Sequence, residues 1–256
     1  MRASTDAPPS LLWRRRATSA PYATHPEARE IVFDFLSNYD DPTLLGAFWV
    51  TVKLTVFSAV GSLIWGTLLA AMRVSPVPLM RGFGTVYVNV VRNIPLTVII
   101  VFTSLGLADI FGVTMGAPDV FEVKFFRLAV LGLTAYTAAF VCEAIRSGIN
   151  TVPVGQAEAA RAIGLSFGQV LRLVVLPQAF RSVIGPLANV LIALTKNTTV
   201  AAAIGVAEAA LLMKEMIENE AQTLLIGAIF AFGFVVLTLP TGLFLGWLSK
   251  RLAVKR

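Results

Sequence analysis

The chain has 256 residues, of which 56% are hydrophobic and only 14% charged, with a mean hydropathy of +0.76. No single water-exposed core of ordinary composition buries that much apolar surface, which excludes a plain soluble enzyme or binding module and makes lipid the solvent. The formal net charge of +6 does not indicate nucleic acid, because the basic residues sit at the ends of apolar segments without the aromatic interleaving of a strand-binding surface.

Residues 1 to about 30, rich in Pro, Ser, Thr, Ala and Arg, read as disordered. Arg14 to Arg16 are followed by a polar stretch instead of an apolar one, so no secretory signal is evident. Residues 30 to 43, with Ile31 to Leu36, suit a short helix on the outer interface. Five apolar segments of spanning length follow, at about 46 to 71, 84 to 105, 127 to 145, 183 to 205 and 223 to 248. Each must be helical, because an open strand edge in lipid leaves backbone groups unpaired. The chain thus divides into a tail, 1–43, and a transmembrane domain, 44–256.

Polar residues inside spans cost free energy unless they are paired or face a wet cavity. Lys53, in the first span, lies close enough to the interface to snorkel. Arg92, Asn93 and Pro95 break the second span, and Lys196, Asn197, Thr198 and Thr199 interrupt the fourth. Arg92, Asn93 and Lys196 to Thr199 are therefore candidates for lining a substrate pathway. The competing reading has the cations pair with Glu143 or close a subunit interface. Glu143 and Arg146, spaced i, i+3, suit a structural pair at the end of the third span. Trp49, Tyr87 and Trp247 fit either interfacial anchors or core packing. Residues 106 to 126 read as an external loop, and residues 207 to 221 as an external helical segment with Glu208, Glu215, Glu218 and Glu220; an extracytoplasmic partner would dock on these surfaces, while for any single carboxylate plain solvation is the expectation.

One cysteine, Cys142, and one histidine, His25, rule out an intrachain disulfide and leave no His/Cys metal site. Taking alternate flanks of the spans, Arg73, Arg81, Arg146, Arg161, Arg172, Arg181, Lys250, Arg251, Lys255 and Arg256 fall on one side, against Arg29, Lys124, Arg127 and Lys214 on the other. The richer side is cytoplasmic by the positive-inside rule, which puts the N-terminus outside and the C-terminus inside. The Arg14 to Arg16 cluster opposes this, from about 30 residues beyond the first span, where charge bias is weak.

Between the third and fourth spans, within about 151–182, lies a polar helical stretch. Glu158, Ala159 and Ala160 open one short helix, and Gly164 breaks it with a residue that tolerates positive φ. Leu165 to Leu176 form a second helix that Pro177 stops. Two short helices around a glycine turn make a compact knob. No G-x-x-x-x-G-K-[ST] phosphate loop occurs, so the chain has no nucleotide cradle of that kind.

Glu158-Ala-Ala, Gly164 and the closing Val174-Val-Leu-Pro177 resemble the EAA loop of type I ABC importer permeases, with Val174 where isoleucine is usual. The likeness extends over about 44 to 256. Glu143 to Glu158, Leu176 to Arg181 and Leu194 to Thr199 are similar to the polar amino acid branch. Met72 to Pro76, Val91 to Leu96 and Ile192 to Thr199 are most similar to actinobacterial glutamate uptake permeases. The resemblance implies an all-α membrane protein with the five-helix MetI-like permease fold and cytoplasmic coupling helices. It implies a transport subunit, not an enzyme, in the bacterial cytoplasmic membrane. Glu158, Ala159, Ala160, Gly164, Leu176 and Pro177 would engage the ATPase. Two cytoplasmic ATPase subunits would use ATP and Mg, this chain binding no cofactor. A second permease, a different one being favoured, and an extracytoplasmic binding protein or lipoprotein would complete the assembly. Glutamate is the favoured cargo; a basic amino acid, glutamine or an opine is the alternative within transporters. A passive channel has no use for a coupling knob, and a membrane enzyme would need convergent titratable groups that the spans do not supply.

Overall fold

The computed structural model describes residues 43–113, 115, 121–220 and 222–252. The expectations for the tail and for Lys255 and Arg256 lie outside them.

Helix α1, Leu44–Val74, starts where the Thr43 hydroxyl accepts the Gly46 N–H at 3.0 Å, a side-chain cap on an otherwise orphan donor. Helix α2, Pro78–Asn93, opens on a proline whose missing N–H costs nothing there. It ends before Ile94-Pro95. The residue ahead of a proline is pushed to extended backbone, and Ile94 adopts φ −91°, ψ 133°. Helix α3, Leu96–Val101, then sets off in a new direction and continues as a π-helical stretch, Phe102–Ile110. The span is bent by 108° between its two arms.

Helix α4, Phe121–Asn150, is the most enclosed of the apolar helices. It begins inside the stretch expected as an external loop, so Glu122 stands on its first turn. A short helix, α5, Val154–Ala162, and a one-turn helix, α6, Phe167–Val170, follow. A π-helical segment, Leu171–Val175, joins α6 to the long helix α7, Leu176–Asn197, which tightens into a 3₁₀ segment, Thr198–Ile204. Helix α8, Ala209–Glu220, is the helical segment expected at 207 to 221, and α9, Thr223–Leu252, closes the bundle. Among the described residues four helical runs are long and apolar enough to cross a membrane, and the bent α2–α3 pair makes five if it counts as one span.

Helices α1 and α4 approach closely because glycines remove side chains from their contact. A Cβ on Gly66 would lie 2.6 Å from Val141 and 2.8 Å from the Ala138 carbonyl oxygen. Small-residue contacts of this kind hold helices together in lipid, where apolar surface gains nothing from meeting apolar surface. One buried cluster joins Leu54, Ile100, Leu133 and Leu194, and a second joins Leu69, Val88, Ala138 and Cys142. Tyr87 is a packing residue: its hydroxyl donates to the Ala135 carbonyl at 2.8 Å and its ring meets Trp65 edge-on. Trp49 and Trp247 are exposed, as anchors would be.

Candidate coupling hairpin and membrane cavity

The expected two-helix knob is present, with different boundaries. Its first helix begins at Val154, directly after Pro153, one turn ahead of Glu158. It ends in a Schellman motif: the Leu165 N–H donates to the Ala160 carbonyl at 3.2 Å and the Gly164 N–H to the Arg161 carbonyl at 2.9 Å. That closure needs a left-handed residue, and Gly164 has φ +92°. The second helix starts at Phe167, capped reciprocally by Ser166 and Gln169.

Pro177 does not stop this helix. It lies just after the wide π-helical turn over Leu171–Val175, which takes up its missing N–H and carries the chain into α7 unbroken. The second arm of the knob and the fourth span are thus one helical run, Phe167–Ile204.

Glu158 and Ala159 are exposed on the hairpin, Ala160 is buried against it, and Leu176 and Pro177 are exposed at its base. On α5, α6 and the turn between them three large apolar residues stand out: Val154 is 72% exposed, Ile163 80% and Phe167 78%. Sequence reasoning missed them. The available signal was the pair of apolar residues flanking the glycine turn.

Glu143 is the hub of a charge cluster built from three helices. Its carboxylate bonds the Arg73 guanidinium of α1, which is 8% exposed, and lies 3.7 Å from Arg92 of α2 and 3.9 Å from Arg146 of its own helix. The i, i+3 partner expected from spacing is therefore the most distant of the three, and Arg73, overlooked in the sequence, is the closest. Three guanidiniums around one carboxylate leave a local surplus of positive charge.

Arg92 also lies over the Phe140 ring, 5.6 Å from its centroid. Phe140 lines a cavity of about 290 Å³ between α4 and α7, together with Tyr136, Thr137, Asn189 and Asn197. The Thr137 hydroxyl is buried and has no hydrogen-bond partner among the described residues, and an orphan polar atom of this kind asks for a ligand or a water. Of the other pathway candidates, Asn93 is exposed and donates to the Asn89 carbonyl. Lys196 is exposed at the end of α7. Thr198 is fully buried and donates to the Thr195 carbonyl, and Thr199 donates to that of Lys196. Only Asn197 of that tetrad lines the cavity.

Glu208 is not solvated. It is fully buried, its Oε1 accepts the Ala210 and Leu211 N–H groups at 2.9 and 3.2 Å, and its Oε2 accepts from the Thr51 hydroxyl at 3.3 Å. This caps α8 and pins it to α1. Burial pushes the carboxyl up to about 7 against the pull of those donors.

Residues 62–254 match the family described as binding-protein-dependent transport system inner membrane component. The chain is 58% identical, over 84% of its length and 96% of the relative's, to the glutamate transport system permease protein GluC of Corynebacterium glutamicum. It is 34% identical, over 87% of its length and 96% of the relative's, to the probable glutamine ABC transporter permease protein GlnM of Bacillus subtilis. The crystal structure of an amino acid ABC transporter with histidines superposes with a TM-score of 0.75 at 25% identity, covering 90% of this chain and all of that one. The helical architecture, the broken second span and these matches agree: the chain belongs to the family of inner membrane components of binding-protein-dependent transport systems.

Proposed function

We propose that this chain is a permease subunit through which an ATP-driven importer moves glutamate across the cytoplasmic membrane. The observation that carries the cargo is the 58% identity to a glutamate permease over nearly its whole length. The local electrostatics support it. A side-chain carboxylate is expensive to carry through a low-dielectric pathway unless cations or several donors meet it. Phe140, one wall of the cavity between α4 and α7, carries on its ring the guanidinium of Arg92, which belongs to a cluster with more guanidiniums than carboxylates. Asn189, Asn197 and the unpartnered Thr137 hydroxyl supply neutral hydrogen-bonding groups.

In this reading the hairpin of α5 and α6 inserts into a groove on a cytoplasmic ATPase, with Ile163 and Phe167 as apolar anchors and Glu158 at its flank. ATP closes the paired ATPases and draws two such hairpins together. The C-terminus and the hairpin face the cytoplasm, and α8 faces an extracytoplasmic binding protein. A second, different permease completes the pathway. Alternating access then requires that ATP and loaded binding protein each favour one state of the bundle by differential affinity.

The test is a competition panel on the complex reconstituted with its ATPase, binding protein and second permease. Labelled glutamate is taken up, with aspartate the strongest competitor and arginine and lysine weak ones. Asn197→Ala and Arg92→Met each assemble normally and lower uptake. Arginine outcompeting glutamate overturns the acidic cargo, and wild-type uptake by both variants removes the cavity from the pathway.

A further inference from the structure

A second cavity lies at the α8 end of the bundle, away from the coupling hairpin. It occupies about 240 Å³ between the second and third turns of α1, the start of α4 and the link Val206–Ala207 that leads into α8. Its walls are apolar, from Val50, Val123, Phe126 and Val206, and two charged residues of opposite sign line it, Lys53 and Glu122.

Among the described residues neither charge belongs to an ion pair, although Lys124 nearby is joined to Asp109 at 3.7 Å. Lys53 is half-buried about three turns into α1, and its ammonium meets only the face of Phe126, 5.9 Å from the ring centroid. A ring face attracts a cation but cannot accept its hydrogen bonds as an anion does. Glu122 is exposed on the first turn of α4, where the helix dipole favours its charge. Two opposite charges therefore face one apolar-walled cavity without neutralising each other. A molecule carrying both signs a few ångströms apart satisfies both. The volume falls just below the range of roughly 300–1,000 Å³ usual for drug-sized ligands, which suits a single amino acid or one lipid head group.

The geometry points to a binding site for a small zwitterion at this end of the bundle, its anionic oxygens on Lys53 and its ammonium on Glu122. The chemistry is shared by a free amino acid and by a phosphoethanolamine head group. The site is separate from the α4–α7 cavity and stands whether or not that cavity carries the cargo. Occupancy would bear on Val206 and Ala207, directly before the buried Glu208 that pins α8 to α1.

The experiment uses the assembled transporter in two arms. In bilayers of phosphatidylcholine alone, binding of labelled glutamate is measured without binding protein. In bilayers of equal phosphatidylethanolamine and phosphatidylglycerol, the lipids retained on the complex after detergent extraction are quantified by native mass spectrometry. One arm shows a retained ligand, glutamate or phosphatidylethanolamine over phosphatidylglycerol, and that arm identifies the source. Lys53→Met and Glu122→Gln each reduce retention at least tenfold, the exchange Lys53→Glu with Glu122→Lys recovers part of it, and Lys250→Met, an exposed charge in the last turn of α9, leaves it unchanged. Retention indifferent to both single variants overturns the site. So does preference for phosphatidylglycerol that depends on Lys53 alone, which means a simple anion contact, and so does absence of a retained ligand in both arms.

Discussion

Gly164→Ala tests the hairpin with the smallest possible change. The added Cβ would meet nothing within 4 Å, so no neighbour resists it. Its whole cost comes from the backbone: a residue with a Cβ at φ +92° is strained by roughly 1–2 kcal/mol. Since 1.4 kcal/mol is a factor of about ten, the Schellman closure loses on the order of five- to thirty-fold in population relative to opened forms. Gly155 and Gly168 provide internal controls. They lie within α5 and α6, and a Cβ there also meets nothing. Alanine at these ordinary helical positions gains about 0.5–1 kcal/mol instead. The assay is ATP hydrolysis stimulated by loaded binding protein in reconstituted complexes, with membrane levels checked by immunoblot. Gly164→Ala lowers stimulation several-fold, Gly164→Val abolishes it by adding a β-branched side chain to the same strain, and Gly155→Ala and Gly168→Ala retain it. Wild-type stimulation in Gly164→Val at normal membrane levels would refute the hairpin as the coupling element.

Glu208 carries a pH dependence of definite sign. Its carboxyl titrates near 7 when folded against 4.5 when free, so its contribution is full below pH 4.5 and is lost as pH rises through 7. The change amounts to about 3 kcal/mol, and thermal unfolding of the purified complex between pH 4.5 and 8 reads it; Glu208→Gln flattens that slope, and an unchanged slope in the variant shows that another group is responsible. Orientation follows from thiol labelling of intact cells in a Cys142→Ser background, Cys142 being buried: Glu218→Cys on α8 reacts with an impermeant reagent and Gln169→Cys on α6 is protected, the reverse pattern inverting the topology. Gly148→Ala forces a methyl into Val183 of α7 and within 3.1 Å of the Ala179 carbonyl, an overpacking expected to cost about 1–3 kcal/mol. A midpoint within experimental error of wild type would show that α4 and α7 are free to separate there.

The parts of this fold that were legible in the sequence are those set by local chemistry. Five apolar runs gave the spans, Arg92, Asn93 and Pro95 the break, and Gly164 the turn, because span length, a missing N–H and a left-handed φ are each local properties of the chain. What escaped was tertiary. Arg73 sits at the end of its helix like any cytoplasmic flanking charge, and nothing in the chain says that it meets Glu143 70 positions later. Glu208 reads as one of several carboxylates on an external helix, and only the partner Thr51, 157 positions away, makes it a buried cap. Pro177 misled for a local reason: a proline interrupts a helix through its missing N–H, but the wide π-helical turn ahead of it, Leu171–Val175, takes up that interruption and the helical run continues.

That continuity bears on how a hairpin outside the spans could act on the cavity within them. From Phe167 to Asn197 the chain runs as one helical path, which at 1.5 Å per residue measures about 45 Å. Its start lies beside the exposed Phe167 and the Gly164 turn; its far part carries Asn189 and Asn197 on the cavity. A pull on the hairpin is therefore delivered along backbone hydrogen bonds, without an intervening loop to absorb it. The compliance lies at known places, the π-helical turn over Leu171–Val175 and Pro186, which removes one intrahelical bond within α7. Helix α4 provides the reference against which α7 moves: it is the most enclosed helix, is locked to α1 at Gly66, and holds Arg73 and Arg92 through Glu143. Cavity and charge cluster both lie along α4, so a shift of α7 changes the distance between Asn197 and Arg92 while leaving Arg92 on its carboxylate. Under the proposed function one side of the cavity would move with the hairpin while the other is held by the ion cluster, which is the arrangement that changing a ligand's affinity between two states requires.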